Sequence, residues 1–218
     1  MPYRNKPIVA GQYYHVFNRA AEGRLLFHSD ENYRYFLRRI SKILPVHPLE
    51  IICYCLMPNH FHFLLKTLRD NTVSGFISLL LNGYVKALNV QTGMSGPLFP
   101  ARFKNVLVES DAQLIHLMRY IHLNPVKAGL VKDPSDWLYS NYREFINSWI
   151  DPGVCVKDIK ASTKQTKIPG SISSPNPGVF STPLETRGMY FKSPEEYASF
   201  VKDMTVADPK AFEKYCLE

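Results

Sequence analysis

The chain has 218 residues, 45% of them hydrophobic, with a net charge of +7 and a pI of about 9.2, which suits one domain of ordinary size plus an appendage. Lys and Arg outnumber Asp and Glu by 17 to 10 over residues 1–150 and match them 9 to 9 over 151–218, so the whole surplus lies in the first part and points to a polyanionic partner. Cys53, Cys55, Cys155 and Cys216 contain no C-x-x-C pair, which excludes a zinc knuckle or thioredoxin-like motif, and no signal-like or membrane-length apolar run stands out, so a soluble protein of a reducing cytoplasm is expected.

In chain order, "GQYYHVFNR" (11–19) is aromatic and β-branched and reads as a first strand. Ser29 or Asp30 caps a helix through "ENYRYFLRRISKIL", with Tyr33, Phe36, Leu37, Ile40 and Leu44 at helical spacing and Pro45 and Pro48 beyond it. "LEIICYCLM" (49–57) is a second strand in which Cys53 and Cys55 act as small apolar side chains. Pro58 and Asn59 form a tight connection to a third strand, "HFHFLLK", completing an antiparallel hairpin. "TVSGFISLLLNGYVKALNVQTG" is a long amphipathic helix ending at Gly93, and a fourth strand falls near 103–108. "DAQLIHLMRYIHLNP" is a helix capped by Ser110 or Asp111 and stopped or kinked at Pro125; "DPSDWLYSNYREFIN" adds a short helical or turn-rich piece.

The order β-α-β-β-α-β followed by a helix predicts an α+β, ferredoxin-like fold: a four-stranded antiparallel sheet with both long helices on one face and the third helix on the other. Residues 1–150 form this domain. Residues 151–192 read as a flexible Ser/Thr/Pro-rich linker, and 193–218 as a short helical arm whose Ser193, Pro194 and Glu196 make a capping box. A second Asp-Pro start follows at 208–209.

The chemistry concentrates in two stretches. In "MPNHFHFLLK", His60 and His62 are two apart on a strand and share one face, with Phe61 and Phe63 on the other. That arrangement suits a metal ion, and equally a cross-strand polar pair. In "RYIHLNP", Tyr120 and Asn124 are four apart on a helix and project together. Turned toward the histidine face, this helix would assemble two imidazoles, an amide oxygen and a phenol. Taken singly, Tyr120 also reads as a core aromatic and Asn124 as the cap of a following "PVKAGLV" helix.

The segments "YYHVFNR", "CYCLMPNHFHFLL", "GPLFPARFK" and "MRYIHLNPVKAGLV", in this order over roughly 10–145, resemble the HUH single-tyrosine transposases of small insertion sequences, and within them the REP-associated tyrosine transposases. The resemblance implies that Tyr120 is the nucleophile, that His60, His62 and Asn124 hold a Mg or Mn divalent cation, and that the substrate is an imperfect palindrome folded as a hairpin in single-stranded DNA. It implies an endonuclease and strand transferase acting through a covalent 5′-phosphotyrosine, as a monomer or homodimer, nucleoid-associated when bound to DNA. His15, Phe17 and Arg19 on the first strand and Arg102 and Lys104 near the fourth are candidate DNA contacts, because cations beside aromatics suit single strands. Arg34, Arg38, Arg39 and Lys42 could add a basic stripe or form a solvated helix face. A non-catalytic hairpin-binding relative, or a metal hydrolase using the two histidines without the tyrosine, are the competing readings.

Overall fold

The computed structural model describes residues 7–147 and 188–203. Strands β1 (Tyr13–Arg19), β2 (Leu49–Met57), β3 (His60–Thr67) and β4 (Lys104–Leu107) form one sheet in the order β2-β3-β1-β4, with every neighbouring pair antiparallel. Helices α1 (Asp30–Ile43) and α2 (Thr72–Thr92) are the two crossovers, and α3 (Asp111–Lys127) follows β4. This is the ferredoxin-like α+β arrangement that the order of elements predicts.

The sheet is buried on both faces because its strands alternate two apolar sets. Tyr14 and Val16 of β1, Tyr54 and Leu56 of β2 and Phe61, Phe63 and Leu65 of β3 meet Phe36, Leu37 and Ile40 of α1 and Phe76, Ile77, Leu80 and Tyr84 of α2. Each large side chain fully buried there contributes roughly 1.5–3 kcal/mol. The opposite face presents Cys53, Cys55, Met57 and Leu64, covered by Leu114, Leu117, Met118 and Ile121 of α3 and by Tyr142 and Phe145 of α4 (Tyr142–Asn147). The β2–β3 register shifts between Ile51 and Cys53, leaving Ile52 as the extra residue of a bulge.

The structure refines four of these readings. Helix α3 runs on through Pro125 to Lys127, so Asn124 lies inside it and does not cap a new helix. The proline costs one amide donor near the end, where little helix remains to be disrupted, and the Ala128 N–H still reaches Asn124 O. The basic stripe on α1 is largely engaged: Arg34 pairs with Asp30, Arg38 with Glu31, and Arg39 donates to the carbonyls of Leu79 and Leu80 on α2. Helix α2 is, by length and composition, apolar enough to cross a membrane, yet eight of its residues, from Thr72 to Leu88, are buried in the fold. The C-terminal arm is packed: α5 (Pro194–Lys202) buries Tyr197 and Val201 in the second core. Its cap is close to the expected box. Ser193 Oγ accepts from Glu196 N–H, while Glu196 Oε2 accepts from Lys192 N–H. Most of the expected linker and the second Asp-Pro start lie outside the described residues.

Candidate active site

The two-residue period of β3 turns His60 and His62 to the α3 side of the sheet, their ring centroids 5.1 Å apart at 87°. Pairing with β1 sets Arg19 opposite His60 and Phe17 opposite His62. His15, one pleat further along the same face, brings its Nε2 to 2.9 Å from His62 Nδ1, and the two rings stack at 5.1 Å. His60 Nδ1 is 2.7 Å from Asn59 Oδ1, in the turn before β3. Each proposed histidine ligand thus has its Nδ1 engaged. With the proton on Nδ1, the lone pair falls on Nε2, the atom that a metal takes.

Helix α3 supplies the remaining groups. The Tyr120 ring stands edge-on to His62 at 5.5 Å and to His15 at 6.3 Å. Asn124 Nδ2 donates to Tyr120 O at 2.9 Å. The Asn124 side chain also lies within hydrogen-bonding reach of His60. Lys127, two turns along the same helix face, places Nζ 5.2 Å from the centre of the Tyr120 ring. The geometry therefore brings His60, His62, Tyr120 and Asn124 together, as the sequence spacing anticipates.

Burial sets the charge state. Loss of solvation lowers His60 to about 4, helped by the Arg19 charge, and lowers His15 to about 3. His62 is pushed well below its usual value by the same loss of solvation and by the neighbouring His15, His60 and Arg19. All three imidazoles are neutral at pH 7, the form that binds metals. His62 Nε2 is buried and makes no hydrogen bond, an arrangement that ordinarily costs about 1–3 kcal/mol. Among the described residues, no three His, Cys, Asp or Glu side chains gather into a metal-holding group, so a cation here would depend on the Asn124 amide as well as on the two imidazoles.

The five candidate DNA contacts divide into two groups. Arg19, Arg102 and Lys104 are exposed, with Lys104 Nζ 5.8 Å from the Phe17 ring centre. His15 and Phe17 are buried behind the histidine pair, His15 as a hydrogen-bond partner of His62 and Phe17 stacked on His15 at 4.5 Å. Sequence reasoning missed Lys127, whose i+7 spacing from Tyr120 was available, and Asn59, which adjoins His60 in the chain. A groove of about 1700 Å³ lies elsewhere, between α2 and residues 93–103, with Arg102 among its lining residues.

No protein-family model matches the chain. Over 116 residues, 49% of this chain, it is 28% identical to "Putative REP-associated tyrosine transposase" of Haemophilus influenzae, and the match spans 66% of that relative, just under two thirds of its length. Over 152 residues, 69% of this chain, it is 24% identical to REP-associated tyrosine transposase of Escherichia coli K12, spanning 87% of that protein. A solved structure of a REP-associated tyrosine transposase bound to a REP hairpin shares the fold, with a TM-score of 0.59 and 22% identity over 77% of this chain and 99% of the other. The chain is thus similar in sequence to REP-associated tyrosine transposases and shares the fold of one of them.

Proposed function

We propose that this protein cleaves and rejoins single-stranded DNA at hairpins through Tyr120, with a divalent cation held by His60, His62 and Asn124. The observation that supports this reading most strongly is the meeting of two neutral imidazoles, each with Nδ1 engaged, with a phenol and an amide of α3. The buried Nε2 of His62, without a hydrogen-bond partner, fits a cation ligand. Imidazole mixed with amide oxygen suits Mg²⁺ or Mn²⁺, the latter being the softer match. When bound, such an ion polarises the scissile phosphodiester and offsets charge developing on its oxygens.

The chain's own residues carry the rest. Tyr120 Oη attacks phosphorus, the new P–Oη bond forms and the P–O3′ bond breaks. The phenolic proton is given up and the departing oxygen takes one up as a 3′-hydroxyl, leaving the 5′-phosphate on the tyrosine. Attack by a second 3′-hydroxyl on this phosphotyrosine reverses the exchange and joins new strands without external energy. Lys127 at the Tyr120 ring and exposed Arg19 beside His60 are placed to neutralise the phosphates flanking the reacting one, with Arg102 and Lys104 extending the basic rim. His15 and Asn59 hold the imidazoles in the ligating tautomer.

The test is incubation with Mn²⁺ and a panel of labelled single-stranded hairpins, beside Tyr120→Phe, on denaturing gels. A protein–DNA adduct formed by the wild type alone and abolished by chelator is expected. Retarded hairpins without adduct under any condition would favour the non-catalytic binding reading, and cleavage persisting in Tyr120→Phe would favour a metal hydrolase.

A further inference from the structure

We infer that Tyr197, on the C-terminal helix α5, is a positioning residue for the tyrosine-bearing helix, acting through His122. The inference rests on the proposed function only for the identity of the reacting group.

Behind the candidate site runs a buried polar relay. His122, Asn141 and Tyr197 are each at most 1% exposed. Asn141 Nδ2 donates to Ile52 O at the β2 bulge (3.1 Å), and its Oδ1 accepts from Tyr54 N–H (2.9 Å). Because that atom is an acceptor, His122 Nε2, 3.0 Å away, must donate to it. On its other side, His122 Nδ1 lies 2.5 Å from the Tyr197 hydroxyl. The relay therefore links α5 through α3 to β2.

Its position gives it leverage. Successive helical residues turn by about 100°, so His122 lies about 200° from Tyr120 and grips the opposite side of α3. The rest of the α3–sheet contact is apolar (Leu117, Met118, Ile121 on Cys53, Cys55 and Leu64), and apolar packing is non-directional. Directional bonds on one side fix the rotation that aims Tyr120 and Asn124 at the histidines on the other. The same C-terminal segment also touches α3 elsewhere: Tyr190 Oη donates to Asp111 Oδ1 at 2.8 Å, and the Arg119 guanidinium lies 5.3 Å from the Phe200 ring centre. Lys202 pairs with Asp133 at 2.7 Å just beyond it. A misplacement on the order of 1 Å at a reacting group is worth up to ~100-fold in rate.

The test compares full-length wild type, Tyr197→Phe, which keeps the ring and removes only the hydroxyl, and Lys202→Ala, which loosens the same helix away from the relay. Tyr197→Phe is expected to bind hairpins within about 2-fold of wild type but to form adduct roughly 10-fold more slowly at saturating hairpin, while Lys202→Ala keeps the wild-type rate. Equal rate losses in both variants would reduce the effect to general loosening and overturn the inference. Imidazole ¹H–¹⁵N spectra of the metal-free, DNA-free proteins supply a readout independent of activity. Displaced His60 and His62 resonances in Tyr197→Phe alone support the inference even if no adduct ever forms, and unmoved ones overturn it.

Discussion

His15 Nε2 and His62 Nδ1 lie 2.9 Å apart on neighbouring strands, and one proton serves both atoms. Placing it on His62 Nδ1 leaves the His62 Nε2 lone pair facing the tyrosine helix. Replacing His15 with Leu keeps an apolar filler but strands that donor. Mn²⁺ affinity is expected to fall about 10- to 100-fold, the usual cost of losing a partner that orients a ligand. Isothermal titration of the folded variant checks this; an unchanged affinity would mean that His15 does not orient His62.

The buried imidazoles also make the metal-free protein acid-sensitive. Their folded pKa values sit below the ordinary 6.5, with His60 at about 4 and His15 at about 3, so below pH 6.5 the unfolded chain takes up protons that the folded one refuses. Stability is whole above 6.5 and is lost as pH falls toward those values, at about 1.4 kcal/mol per pH unit for each group. Urea midpoints in chelator between pH 7 and 5, above the carboxylate range, should drop steadily. A flat profile there would mean that the histidines are hydrated.

Alternation on β3 separates folding from chemistry. Phe61 is wholly buried between the sheet and its two helices, and Phe61→Ala should cost about 3–5 kcal/mol of stability. His60→Ala, one residue away on the other face, should leave the protein folded while abolishing adduct formation. Chemical denaturation beside gel assays of both variants distinguishes the two roles.

That alternation was legible in the sequence, as were the hairpin at Pro58–Asn59, the crossover helices and the i,i+4 pairing of Tyr120 with Asn124, because each depends on local period or turn chemistry. What the sequence withheld was long-range. The His15–His62 contact spans 47 positions and follows from the β1–β3 register, and the His122–Tyr197 contact spans 75. The same limit misplaced His15 and Phe17 at an exposed surface, since strand periodicity gives the face of a residue and not what covers it. Pro125 misled for a different reason: the rule against proline in helices weakens in the last turn, where one lost amide matters little.

Lys127 is exposed and stands at the Tyr120 ring. Lys127→Ala should weaken hairpin binding similarly across hairpin sequences and reduce the slope of log affinity against log salt by about 1, the signature of one lost phosphate contact. Binding titrations at several salt concentrations give that slope. A sequence-selective loss with the slope intact would instead place Lys127 on a base.

The central claim is that Tyr120, among thirteen tyrosines, becomes covalently joined to DNA. The most direct measurement is protease digestion and mass spectrometry of protein trapped with Mn²⁺ and a hairpin substrate, locating the nucleotide-bearing peptide. The proposed mechanism predicts one modified residue, Tyr120, carrying a 5′-phosphate, with none in chelator. A nucleotide on any other residue, or cleaved DNA with every tyrosine unmodified, would contradict it.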